Sequence, residues 1–138
     1  LLSYGMKAAA IDQATIPELV DMMARDIPAE QIAFLRSLDD YLLEGDYLFV
    51  HAGIRPGLPL EQQTSRDLRW IRQPFLEHGG HHGKYVVHGH TITDGVDERV
   101  NRIGIDTGAY RTGRLTALGI EGEHRWIIDT VDHHESGT

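Results

Sequence analysis

The sequence contains no cysteine and no apolar run long enough to cross a membrane. The absence of cysteine excludes disulfide bonds, zinc–thiolate sites and thiol nucleophiles from the 138 residues. A membrane-spanning helix needs about 20 consecutive apolar residues, and no stretch approaches that length. We therefore expect no membrane partner. Because a chain without cysteine suits a reducing compartment, we predict a cytoplasmic location.

Positive charge is also scarce. The chain has 13 Lys and Arg against 21 Asp and Glu, which gives a formal net charge of −8. A non-specific nucleic-acid binder needs a basic surface that displaces counterions, so we expect no nucleic-acid partner. A phosphorylated substrate is compatible with the negative net charge, because a bound metal ion can make the charge around the binding site positive.

Residue patterns predict helices in the first part of the chain and mainly strands after it, which is an α/β fold. Thr15 is a candidate cap for a helix beginning near Pro17, and Pro28 opens a second helix. A hairpin is predicted over residues 41–50, and its second strand is expected to be buried on both faces. A helix is then predicted from Ser65 or Asp67 through Leu76. Strands at 85–87 and 99–105 and a closing hairpin over 115–128 complete the predicted elements. Residues 1–131 form the folded portion, and 132–138 are a polar tail.

Two histidines each follow an apolar strand. His51 comes directly after Val50, and His90 lies just beyond the strand at 85–87, beside Gly89. A strand end holds a side chain rigidly, and glycine lets the backbone approach an ion or a phosphate closely. Neutral imidazole is a good ligand for manganese, iron or zinc. Either histidine alone fits an ordinary core or surface position, but the pair indicates a metal site.

Three segments resemble the later motifs of calcineurin-like metallophosphoesterases. They are Phe49-Val50-His51-Ala52-Gly53, Val87-His88-Gly89-His90-Thr91 and Arg102-Ile103-Gly104-Ile105-Asp106-Thr107-Gly108-Ala109. In order and spacing they are most similar to bacterial serine/threonine protein phosphatases of the phosphoprotein phosphatase superfamily. The resemblance runs from Leu1 to about Ile128. The resemblance implies a partial β-sandwich flanked by helices, which in the intact family fold has four layers in the order αββα. It also implies that the intact protein binds two divalent metal ions, with manganese expected first and iron or zinc as alternatives.

The resemblance also implies roles for individual residues. His51 and His90 are expected to bind one metal ion, while Arg72 and Tyr110 are expected to bind phosphate. The guanidinium fork of an arginine matches the oxygens of a phosphoryl group. His88 is expected to be structural or to support the ligands, and Asp106 to stabilise a turn. The glycine-flanked histidines His78, His81 and His82 are expected in a solvent-exposed loop.

The earlier motifs of the same family, Gly-Asp-x-His-Gly, Gly-Asp-x-x-Asp-Arg-Gly and Gly-Asn-His-Glu, do not occur in the sequence. In the family they supply the other metal's ligands and the general-acid histidine, which we therefore expect upstream of Leu1. The chain then corresponds to the C-terminal portion of a metallophosphoesterase domain. We expect it to be inactive alone, and to associate with the missing N-terminal segment or with itself.

Three functions stay open at this point. The first is a phosphatase acting on a phosphoprotein, and the second is a hydrolase of dinucleoside polyphosphates, so that the substrate is a phosphoprotein or a nucleotide. The third is a shortened, non-catalytic binding module.

Overall fold

The structure is a computed structural model, and it describes residues 1–131. The predicted polar tail at 132–138, which includes His133 and His134, lies outside the described residues. The chain divides into two compact units, Leu1–Asp39 and the residues from Asp40 onward. Within the described part, no helix is long and apolar enough to cross a membrane.

The first unit is helical. It contains a short 3-10 helix at Leu2–Tyr4 and the helices α1 (Ala8–Gln13), α2 (Ile16–Asp26) and α3 (Ala29–Arg36). The predicted start of α2 is confirmed. The Thr15 N–H donates to the Glu18 carboxylate at 2.8 Å, in a capping box that satisfies groups left free at a helix start.

The second unit contains a five-stranded sheet and a separate two-stranded hairpin. The sheet order is β1-β2-β3-β5-β4, with β2, β3 and β5 parallel and the two edge strands antiparallel. The strands are β1 (Tyr41–Glu44), β2 (Tyr47–Val50), β3 (Tyr85–His88), β4 (Asp97–Glu98) and β5 (Arg102–Gly104), and the hairpin joins β6 (Thr116–Glu121) to β7 (His124–Asp129). The helical segments are a 3-10 helix at Leu60–Gln62, α4 (Ser65–Trp70) and α5 (Ala109–Thr112). Both predicted hairpins are confirmed.

Two boundary predictions and one burial prediction are wrong. Helix α4 ends at Trp70 rather than Leu76, since Pro74 cannot donate a helical hydrogen bond and restricts the residue before it. The strand expected at 99–105 begins at Arg102, because residues 99–101 form the β4–β5 turn, with Arg99 N–H donating to the Arg102 carbonyl at 2.8 Å. Strand β2 buries Leu48 and Val50 but leaves Tyr47 and Phe49 half-buried, so it is not buried on both faces.

The core of the second unit lies beneath the ends of β2 and β3. Its buried residues come from these two strands, from the segment after β2 and from α4 and the residues after it: Leu48, Val50, Ala52, Ile54, Leu68, Ile71, Phe75 and Val86. Phe75 and Ala52 are fully buried. Because apolar burial is the main stabilising contribution to a fold, the backbone just beyond each strand is held in place by this core.

The histidine-rich segment is a loop, as predicted, but His78 and His82 are half-buried rather than exposed. The buried Asn101 amide donates to the carbonyl oxygens of His78 at 2.8 Å and Gly80 at 2.7 Å. The half-buried His82 ring packs against Phe75, with ring centroids 5.4 Å apart. A buried amide needs hydrogen-bond partners, and the loop carbonyls supply them. The segment is therefore closed over Asn101, although His81 itself is exposed.

The half-buried His82 predicts that stability depends on pH. Burial, assisted by His78 and Arg102, lowers the pKa of His82 from 6.5 to about 4. Between these values the unfolded chain binds a proton that the folded chain does not, so the free energy of unfolding falls as the pH is lowered. We expect His82→Gln to reduce this slope by up to about 1.4 kcal/mol per pH unit, as measured by urea unfolding at pH 7.5, 6 and 5.

The control is His124→Gln, which changes an exposed histidine in the β6–β7 hairpin. It should retain the slope of the unsubstituted chain. Equal slopes for His82→Gln and the unsubstituted chain would contradict the assignment.

Candidate metal centre

The parallel pairing of β2 with β3 brings His51 and His90 together. Phe49 pairs with Val87 in register, so both strands end at the same edge of the sheet. Two residues further on, the Gly89 N–H donates to the His51 carbonyl at 2.9 Å. The His51 and His90 ring centroids are 5.1 Å apart, with an interplanar angle of 56°. The structure thus places the two predicted ligands side by side.

This spacing fits one shared cation. A histidine nitrogen binds a transition metal at about 2.1 Å, and two imidazoles on one ion then have centroids roughly 4.5–5.3 Å apart. The observed separation of 5.1 Å lies within that interval.

The hydrogen bonding of His90 also suits a metal ligand. The Trp70 carbonyl lies near the His90 ring and opposes the lowering of its pKa. His90 Nε2 is buried and has no partner within the described residues, so it is the ring nitrogen open to a ligand. Metal-binding histidines commonly have a carbonyl beside their other ring nitrogen. The Trp70 ring stands edge-on to the imidazole, with centroids 5.6 Å apart.

The backbone at His90 is unusual. Its φ is +65°, and the Thr91 N–H donates to the Gly89 carbonyl at 2.7 Å. This is a γ-turn of the strained, positive-φ form centred on His90. The buried Thr91 hydroxyl likewise has no partner among residues 1–131. Strained backbone beside unsatisfied polar atoms is typical of functional sites.

The charges around His90 favour its neutral form. Burial lowers the pKa of His90, and Arg72 and His51 lower it further, whereas Asp106 opposes them. Neutral imidazole is the form that binds metals. Arg72 is exposed, and its side chain has no ion-pair partner among residues 1–131, so its guanidinium is free to bind an anion. Asp106 Oδ1 accepts from the Gly108 N–H at 2.9 Å, which confirms its predicted turn-stabilising role.

The remaining predicted groups do not converge on the pair. Tyr110 is 85% exposed on α5, and its side chain makes no hydrogen bond or ring contact in the described part of the chain. Its role in phosphate binding stays a prediction. Among residues 1–131 no group of three His, Asp or Glu side chains is arranged to hold a metal. Two imidazoles alone are fewer ligands than a metal site usually has.

Sequence reasoning missed two contributors near the pair. The Trp70 carbonyl is a main-chain group, so no side-chain pattern marks it. Arg102 is only 3% exposed and forms an ion pair with Asp97 at 2.7 Å. The sequence feature that could have revealed Arg102 is its position as a charged residue inside a short predicted strand. His88, also 3% exposed, lies within hydrogen-bond distance of Arg102, in agreement with the structural role expected for it.

The fold, rather than the sequence, resembles a known protein. No family model matches the chain, and no curated protein matches it by sequence. Among solved structures, the chain is similar to the crystal structure of a "putative diadenosine tetraphosphatase", with a TM-score of 0.63 and 20% identity. The match covers 83% of this chain and 64% of that one, less than two thirds of its length. At this identity the likeness establishes the fold alone, and it confirms the predicted α/β class.

The close packing at Gly53 leads to a prediction about the stability of the segment that carries His51. Its φ is +152°, and a Cβ at this position would overlap the fully buried Phe75 ring. Gly57 also has positive φ (+80°), but a Cβ there would meet nothing within 4 Å. We expect Gly57→Ala to cost about 1–2 kcal/mol from backbone strain alone. Gly53→Ala should cost a further ~1–3 kcal/mol from overpacking.

Urea unfolding of the two variants measures this difference. Both variants replace a positive-φ glycine with alanine, and the φ of +152° at Gly53 adds backbone strain to the overlap with Phe75. Equal losses of stability would mean that the Phe75 ring does not constrain the segment after His51.

Proposed function

We propose that this chain is part of a metal-dependent phosphate-ester hydrolase in which His51 and His90 bind one divalent cation. The observation that carries the proposal is the convergence of the two rings, with centroids 5.1 Å apart, together with the free His90 Nε2. The motif resemblance and the fold shared with a protein described as a diadenosine tetraphosphatase support the phosphoester class. Manganese is the cation that we propose first, with iron or zinc as alternatives.

Each residue near the pair has a distinct task in this proposal. A bound cation would supply Lewis acidity and a water of lowered pKa. Arg72, which has no ion-pair partner among residues 1–131, would bind the equatorial oxygens of the phosphoryl group. The Trp70 carbonyl, which lies near the His90 ring, would accept from the ring nitrogen that does not bind the cation. Tyr110 would complete the phosphate pocket.

The proposed reaction needs groups beyond those described here. Two neutral imidazoles beside a guanidinium bind a cation weakly, because structural metal sites usually have four ligands and catalytic sites at least three from the protein. Apolar side chains on β1 and β7 are also exposed: Leu42 is 59% and Ile128 56% exposed. We propose that a segment carrying the absent motifs supplies the second metal's ligands and the general acid. The chain alone would then have little activity.

Two substrate classes fit this site. The motifs resemble those of serine/threonine protein phosphatases, which favours a phosphoprotein. The fold neighbour, described as a diadenosine tetraphosphatase, favours a dinucleoside polyphosphate. Either substrate would present a phosphoryl group to Arg72. A non-catalytic module that binds metal without turnover is the remaining alternative.

Cobalt binding tests the metal site. We expect Co²⁺ to bind the chain weakly at one site, and His51→Gln and His90→Gln each to weaken binding by about a further tenfold or more, because each removes one of two ligands. Isothermal titration calorimetry and the visible absorption of Co²⁺ measure this. The control is His124→Gln, which changes an exposed histidine stacked on Trp126 in the hairpin. Equal affinities for all four proteins would contradict the proposal.

Phosphate binding tests the role of Arg72. With Co²⁺ bound, we expect inorganic phosphate to bind the chain and Arg72→Ala to weaken it by about tenfold, since a charged hydrogen bond to an anion contributes roughly 1.5–3 kcal/mol. The control is Arg66→Ala, which removes an exposed arginine on α4. If the two variants bind phosphate equally, Arg72 does not contact the substrate.

A further inference from the structure

We propose that His88 is a positioning residue: oriented by Arg102, it donates a hydrogen bond that holds the γ-turn presenting His90. This inference rests on the proposed function, because it concerns how His90 is presented to a cation. It assigns a specific task to a buried histidine that otherwise would only fill the core.

The first step is the fixed orientation of Arg102. Its guanidinium donates to the Asp97 carboxylate at 2.7 Å and to the Leu76 carbonyl at 3.0 Å. It also lies over the Phe75 ring, 5.8 Å from the centroid. A buried arginine held by an ion pair, a carbonyl and an aromatic face has little freedom to rotate.

The second step is the tautomer of His88. Arg102 Nη1 lies 3.2 Å from His88 Nε2. A guanidinium can only donate, so Nε2 accepts, and the single proton of the neutral ring is on Nδ1. Nδ1 lies 3.2 Å from the Gly89 carbonyl and donates to it.

The packing around the ring keeps it in this orientation. The Phe75 ring meets His88 edge-on, with centroids 4.9 Å apart and an interplanar angle of 80°. On another side, a Cβ on Gly104 would lie 3.1 Å from His88 Cε1, so the glycine provides room for the imidazole.

The third step is the effect on His90. The Gly89 carbonyl accepts from both His88 Nδ1 and the Thr91 N–H, and the second bond, at 2.7 Å, closes the γ-turn. His90, at the centre of that turn, has a φ of +65°. A sparsely populated backbone conformation persists only where its surroundings hold it. Two donors on one carbonyl oxygen fix the peptide plane from which His90 projects.

Two substitutions of His88 separate positioning from core filling. Asparagine places an amide donor where Nδ1 stands and keeps the bond to Gly89. Glutamine places an acceptor where Nε2 stands, so it keeps the bond to Arg102 but loses the one to Gly89. The control is Val86→Ala, which removes buried volume from the same strand without touching these hydrogen bonds.

The readouts are the thermal midpoint, amide hydrogen exchange of Thr91, the tautomer of His88 from its ¹⁵N–¹H NMR spectrum, and Co²⁺ affinity. In the unsubstituted chain we expect the proton of His88 on Nδ1. His88→Gln should speed Thr91 exchange and weaken Co²⁺ binding by about tenfold or more. His88→Asn should stay within about threefold of the unsubstituted chain, and Val86→Ala should lower only the thermal midpoint.

A proton on Nε2 of His88 would overturn the proposal, and that measurement needs no variant to fold. Equal Thr91 exchange in His88→Gln and His88→Asn would overturn it as well. If the unsubstituted chain binds no Co²⁺, the proposed function fails, while the tautomer and the exchange rates still decide whether His88 holds the turn.

Discussion

The hydrogen bond from the Gly89 N–H to the His51 carbonyl is the contact on which the candidate site depends. It lies two residues beyond the pairing of Phe49 with Val87, where the regular ladder between β2 and β3 has ended. Without it, two chain segments leaving a twisted sheet would diverge. With it, both imidazoles project from one short stretch of paired backbone. The packing of Ala52 and Phe75 in the core beneath makes that stretch rigid.

His90 has two unfavourable features at once, a positive φ and an unpartnered buried nitrogen. Each costs about 1–3 kcal/mol in folded proteins. The two hydrogen bonds that the Gly89 carbonyl accepts, from His88 Nδ1 and the Thr91 N–H, offset part of this cost. A cation on Nε2 would satisfy the nitrogen directly. The residue therefore gains more from a bound ion than an ordinary surface histidine would, which is an argument for a ligand at this position.

Local sequence patterns predicted the structural features that depend on residues close to one another in the sequence. The capping box at Thr15, both hairpins and the histidines beyond two buried strands all follow from short-range residue order. The early end of α4 was also visible, since Pro74 lies inside the predicted helix. What could not be predicted depends on distant residues. Asn101 closes the histidine segment across about twenty positions, and Arg102 reaches Leu76 across 26. No periodicity encodes such contacts.

The charges near the pair connect cation binding to phosphate binding. Arg72 lowers the pKa of His90, which means that its positive charge is felt at the proposed metal position. The same charge therefore weakens the binding of a cation there, and Asp106 compensates only in part because its opposite effect on His90 is smaller. An anion bound to Arg72 would remove this repulsion. By thermodynamic linkage, a cation on the histidines and a phosphoryl group on Arg72 must each strengthen the binding of the other. Under the proposed function, such a site would hold a metal ion most firmly when a phosphorylated substrate is bound.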